Sequence, residues 1–186
     1  MAHIPPPLYL GAAFAGGLAL RAANPALGFG SGPVVVGVGG GLCAAGVFLT
    51  VAGVVQVRRA GTTIVPHRPV TALLTSGVYR FSRNPMYTGL TVAYLGGALL
   101  SGSWGPLLTW PVAILCLQVL VIGPEERYLG ERFGDAYRVY RAQTHRWLGL
   151  VRRVSSAPAG SAEARTAADP MRTAGKAGKP GRGDRR

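Results

Sequence analysis

The sequence predicts an all-α polytopic membrane bundle. About four transmembrane helices, a helical hairpin and a C-terminal cytoplasmic helical segment are expected. Three observations carry this. The chain of 186 residues is 48% hydrophobic and only 15% charged, against about 25% charged in an ordinary soluble domain. It contains several long runs with no charged residue. All seven acids, Glu125, Glu126, Glu131, Asp135, Glu163, Asp169 and Asp184, lie after position 124. A soluble enzyme with charge over its whole surface does not have this pattern.

The spans follow in order. Leu8 to Leu20 is a first apolar run of 13 residues, closed by Arg21, which could snorkel to an interface. A signal peptide is disfavoured there, because no Lys or Arg precedes the run and three prolines, Pro5 to Pro7, do. Pro33 to Val57 offers 25 residues without charge, stopped by Arg58 and Arg59. At about 1.5 Å per residue it exceeds a hydrocarbon core of about 30 Å. Met86 to Leu100 has 15 residues and Trp104 to Ile122 has 19. Only Ser101, Gly102 and Ser103 join them, so they form a tight hairpin.

Charge sets the orientation. Arg58, Arg59, Arg68, Arg80 and Arg83 lie between the second and third spans, and most other positive charge lies C-terminal. Both regions should face the cytoplasm, and four spans put both termini there. The expected location is a bacterial plasma membrane. From 151 to 186 the apolar periodicity stops and Ala, Gly, Pro, Ser and Arg dominate. Residues 1–150 therefore read as one membrane domain, and 151–186 as a disordered basic tail suited to anionic headgroups. Nucleic acid is not expected, since no aromatic residue interleaves with the tail's charges.

Several motifs are set aside. Cys43 and Cys116 sit singly in apolar runs, and Cys/His spacing gives no metal site. Gly39 to Ala44 matches a dinucleotide fingerprint only by letter, with no strand before it and no acid about 20 residues on. Gly37 and Gly41 form a GxxxG pair, read as tight helix packing.

Two polar clusters remain. Thr71 to Gly89 leads into the third span. Pro85 suits a first helical turn and Asn84 an N-cap. The start of that helix would offer free N–H groups and a positive dipole end to an anion. Pro124 to Arg141 opens with Glu125 and Glu126, acids suited to a helix first turn. Gly134 should end that helix and Asp135 cap the next. Headgroup-depth arginines and tyrosines, with acids neutralising helix dipoles, would also account for both clusters. The late arrival of two adjacent glutamates at a span end argues for more.

Arg83-Asn84-Pro85-Met86-Tyr87-Thr88-Gly89, followed after one hairpin by Glu125-Glu126, Leu129, Phe133-Gly134, Tyr137 and Tyr140, resembles the isoprenylcysteine carboxyl methyltransferase family. More broadly it is similar to the integral-membrane methyltransferases that include phospholipid methyltransferases. The likeness covers roughly Leu73 to Trp147. It implies that residues 1–150 are a methyltransferase domain with S-adenosylmethionine as methyl donor, bound at the cytoplasmic ends of the helices. Carried over by position, the cofactor would meet Thr71, Ala72, Leu73, Leu74, Tyr79, Asn84, Pro85, Met86, Tyr87 and Glu125, with Glu126 and Tyr137 as further candidates. No catalytic base is assigned, and none is needed by a carboxylate or thiolate acceptor.

Two departures bear on the acceptor. The family often has His where Asn84 stands. Val121 and Ile122 occupy the turn in which the prenylcysteine enzymes carry an arginine for the substrate carboxylate. A lipophilic carboxylate, phenol, quinone precursor, thiol or lipid amine, entering from the bilayer, all remain open. The sequence leaves the oligomeric state open too. The competing expectations are a small membrane scaffold without chemistry and a sterol-reductase-like enzyme, for which four spans are too few. Deleting residues 156–186 should leave the melting temperature and the cofactor affinity nearly unchanged, because that composition cannot bury a core. A marked drop in either, measured on the purified truncation, would show that the tail packs on the body.

Overall fold

A computed structural model describes residues 5–61 and 72–149. The expected tail, 151–186, lies outside them. Among the described residues there are five helices and no strand: α1 Pro6–Ala23, α2 Pro33–Arg59, α3 Pro85–Leu100, α4 Trp104–Leu117 and α5 Gly123–Gln143. The all-α expectation is met. The helices α1, α2 and α3 each start on a proline, whose missing N–H costs nothing in a first turn and whose φ is already helical. Two stretches are long and apolar enough to cross a membrane, Pro33–Arg59 and the continuous helical run Trp104–Gln143.

That continuous run departs from expectation. Glu125 and Glu126 do stand in the first turn of α5, but this is not a free helix start. A π-helical turn, Gln118–Ile122, carries α4 straight into α5, with the Gly123 N–H donating to the Gln118 carbonyl. Pro124 has no N–H to offer, and the wider turn absorbs the lost bond. Gly134 does break the helical path, at φ 51° and ψ −120°. Asp135 meets the guanidinium of Arg138 on the exposed surface.

The helices α2 and α3 run antiparallel in the most extensive contact of the bundle. Gly39, Gly46 and Gly53, one every two turns, are the buried glycines of α2. A Cβ on Gly46 would fall on the backbone of Gly89 and Ala93, and one on Gly96 would fall on Gly39 and Cys43. Apolar side chains gain little by leaving lipid for protein, so close backbone approach supplies the contact energy. Thr50 Oγ adds hydrogen bonds to the carbonyls of Gly46 at 2.8 Å and Met86 at 3.3 Å. The expected Gly37–Gly41 pair is not part of this face: nothing lies within 4 Å of a Cβ on either. Seven-residue spacing, not four, keeps glycine on the α3 side of this helix.

The helix α1 packs antiparallel on α4, with Gly17 against Gly105 and Pro106. The Arg21 guanidinium donates to the carbonyls of Ser101 at 2.8 Å and Gly102 at 2.5 Å, tying α1 to the α3–α4 hairpin. The hairpin itself is as expected: Gly102 takes φ 56°, and Ser103 caps α4 by accepting from the Gly105 N–H. At the opposite end of the bundle, Tyr9 of α1, Tyr87 of α3 and Trp147 gather on Leu117, Val121 and Ile122.

Gly46→Leu should therefore destabilise the fold by about 1–3 kcal/mol or more, the usual cost of overpacking, while Gly41→Leu should be close to neutral. Thermal unfolding of the two variants in one detergent checks this.

Candidate functional site

The end of the bundle opposite the hairpin collects both polar clusters. Gln56, near the C-terminus of α2, clamps the chain that enters it. Its amide donates to the Ser76 carbonyl at 2.6 Å and accepts from the Val78 N–H at 3.2 Å. Gly77 sits against that amide at φ 57°. A short 3-10 turn, Gly77–Arg80, follows. Tyr79 is buried in it, and its carbonyl accepts from the Tyr140 hydroxyl at 2.7 Å.

Ser82 and Asn84 then set the start of α3. Ser82 is fully buried, and its Oγ accepts from the Asn84 N–H at 3.1 Å. Asn84 occupies the cap position, but its side chain does not cap α3. Its amide donates instead to the Arg146 carbonyl at 3.3 Å. The expected cap is thus replaced by a tie to the segment that follows α5. The same segment accepts from the Arg83 N–H through His145 at 2.9 Å and donates through the Gly149 N–H to Phe81 at 3.1 Å.

The two adjacent carboxylates have different surroundings. Glu126 is buried between two arginines. Its Oε1 lies 3.1 Å from Arg83 Nη2, and its Oε2 2.6 Å from Arg146 Nη2. Burial alone would raise its pKa. The hydrogen bond from Arg146 and the charges of Arg83, Arg146 and Arg141 outweigh that and hold it below the usual range. Glu125 has no such partner among the described residues. The residue is half-buried, but its carboxyl lies deep enough for burial to push its pKa up. The neighbouring Tyr87 phenol offsets part of this and the charge of Glu126 adds to it. Burial and the charge of Glu125 also raise the phenol of Tyr79.

Of the residues picked from the sequence, Tyr79, Tyr87 and Glu125 come together. Tyr137 is buried nearby, with its ring 6.2 Å from that of Tyr140. Leu73 and Leu74 are half-buried and Ala72 is exposed, while Thr71 lies outside the described residues. Pro85 and Met86 face α2 at Gly53. Glu126 points at the arginines. Gln56, Ser82, Arg83, Tyr140 and Arg146 also build the site. Arg83 and Tyr140 stood in the two motifs without a role of their own. Gln56 was visible only as the one amide in an apolar run.

The family model for phospholipid methyltransferases matches residues 34–136. The chain belongs to that family. It is an integral membrane protein. A protein-S-isoprenylcysteine O-methyltransferase of Schizosaccharomyces pombe is 32% identical over 79 residues, 42% of this chain. The match spans about a third of that relative's length, 34%. No solved structure matches. The family match takes in Gln56, the motif around Tyr87 and both carboxylates, but stops before Tyr137, Tyr140 and Arg146.

The carboxylates should move stability in opposite directions. Glu126, with its pKa lowered, stabilises above the ordinary carboxylate pKa and loses this as pH falls through the lowered value. Glu125, with its pKa raised, contributes stability that is full below the ordinary value and lost as pH rises through the raised one. At neutral pH Glu126→Gln should cost about 3 kcal/mol by stranding the arginines, whereas Glu125→Gln should raise the unfolding midpoint. Melting both against pH, without ligand, checks the signs.

Proposed function

We propose that the chain is a methyltransferase that moves a methyl group from S-adenosylmethionine to a lipophilic acceptor at this end of the bundle. The observation that carries the proposal is Glu125: a buried carboxyl beside Tyr87 and Tyr79, without a cation among the described residues, next to a carboxylate that has two. Such a group is costly when ionised and unpaired, and a cationic ligand removes the cost. The family match and the likeness to an isoprenylcysteine methyltransferase support the same reading.

S-adenosylmethionine supplies an electrophilic methyl on a sulfonium, together with an ammonium, a carboxylate and an adenosine. The donor set fits these groups. Glu125 would pair with the ammonium or accept from ribose hydroxyls. The first turn of α3, which the Asn84 side chain leaves uncapped, would meet the carboxylate. Tyr79 and Tyr87, with the half-buried Leu73 and Leu74, would cover apolar surface. Methyl transfer consumes charge, so holding the acceptor in line and excluding water contribute more than proton transfer. Tyr9, Tyr87 and Trp147, packed over Val121 and Ile122, are placed to exclude it.

The acceptor's route is supported by a groove of about 400 Å³ between α1 and α3, lined by Leu10, Phe14, Leu90 and Tyr94 among others. It is predominantly apolar; Leu10 follows Tyr9, and Leu90 lies one helical turn after Tyr87. A lipid tail lying there would bring its polar end to the Tyr87 end of the bundle. Four spans, with the arginine-rich end and both termini cytoplasmic, complete the proposal.

Calorimetry on the protein in detergent tests it. Wild type should bind S-adenosylmethionine, and Glu125→Ala should bind at least about tenfold more weakly, the scale of one lost bond to a charged group. Wild-type affinity should fall as pH drops through the raised pKa of Glu125, because the ionised form binds. No binding by wild type would leave a scaffold role as the better account. Equal binding by both proteins would remove Glu125 from the site.

A further inference from the structure

A second, smaller cavity of about 180 Å³ is lined by Arg83, Arg141, Ala142, Thr144, His145 and Arg146. Its chemistry is opposite to that of the Glu125 site. Three arginines are among its lining residues, and Glu126, the one carboxylate that pairs with any of them among the described residues, is already engaged by Arg83 and Arg146. Arg83 is the key residue. Its side chain is only 9% exposed. Its Nη1 donates to the Arg141 carbonyl at 3.2 Å and its Nη2 faces Glu126, but its Nε–H is buried with no partner among the described residues. A buried, charged donor without an acceptor costs free energy until something accepts from it. Thr144, also buried, adds a hydroxyl to the lining.

We propose that this cavity binds a phosphate group. Planar guanidinium forks suit phosphate oxygens, and the charge left after Glu126 is satisfied is positive. The group could come from a lipid headgroup or from free phosphate. The family match ends at residue 136, so only Arg83 of the cavity belongs to the matched region; the rest comes from the end of α5 and the turn after it. The inference does not depend on methyl transfer, and its test uses no methyl donor in the binding step.

The experiment is a phosphorus NMR titration of the full-length protein in uncharged, lipid-free detergent, with inorganic phosphate and with dihexanoyl phosphatidic acid as separate probes. Both should broaden saturably. Arg141→Ala, which leaves the Glu126 ion pairs and the Arg141 carbonyl in place, should weaken binding about tenfold, the loss of one charge-assisted contact. Arg141→Gln serves if the alanine form loses its fold. Tighter binding of the lipid than of inorganic phosphate supports a headgroup as the source; equal binding supports free phosphate. Absence of saturable binding by the folded wild type, or equal binding by the variant, overturns the proposal. So does displacement by S-adenosylmethionine, which would give the cavity to that molecule's carboxylate.

Discussion

The carboxylate of Glu126, held between Arg83 and Arg146, is the constraint on which the functional end of the molecule depends. Arg83 belongs to the loop that starts α3, Glu126 to the first turn of α5, and Arg146 to the chain after α5. One buried charge therefore fixes three segments far apart in sequence. Buried ion pairs bring little net stability, because desolvation consumes most of the attraction. Their value here is positional. With Arg146 anchored by its guanidinium, its carbonyl is available to Ser82 and Asn84, which set the start of α3.

The consequence for Glu125 is geometric. Neighbouring residues on a helix project about 100° apart. Once Glu126 is committed to the arginines, Glu125 turns towards Tyr87 and Tyr79. Two identical side chains acquire opposite pKa shifts from their surroundings alone. The π-helical turn before them belongs to the same arrangement, since it sets the rotation at which α5 leaves α4. One acid serves the architecture, and the other has no ion-pair partner among the described residues. The tight glycine contact of α2 with α3 and the anchoring of Gln56 on the Ser76–Val78 turn keep the wall holding Tyr79 and Tyr87 in register with them.

Much of this was legible in the sequence. Uncharged runs marked the helices, because little but burial or lipid tolerates such lengths without charge. Pro85 marked the start of α3, and Ser101 to Ser103 could only be a tight turn. Other features were hidden for physical reasons. A helix apolar all round carries no directional pattern, so nothing distinguished Gly39, Gly46 and Gly53 from Gly37 and Gly41. Pro124 reads as a helix start unless a wider turn precedes it, and π turns leave no mark in composition. Asn84 reads as a cap until the long-range carbonyl of Arg146 competes for its side chain. Arg146, 20 residues beyond Glu126 in a run of mixed charge, had no local signal of its role at all.

The central claim is that Glu125 is a buried acid awaiting a cation, while Glu126 is held ionised below the usual carboxylate range by its arginines. Infrared difference spectroscopy on the detergent-solubilised protein addresses it directly, at a pH where an ordinary glutamate is ionised. The account predicts a protonated-carboxyl stretch that is missing in Glu125→Gln and disappears when S-adenosylmethionine is added. A Glu125 that is ionised throughout, or a band indifferent to the ligand, would contradict it.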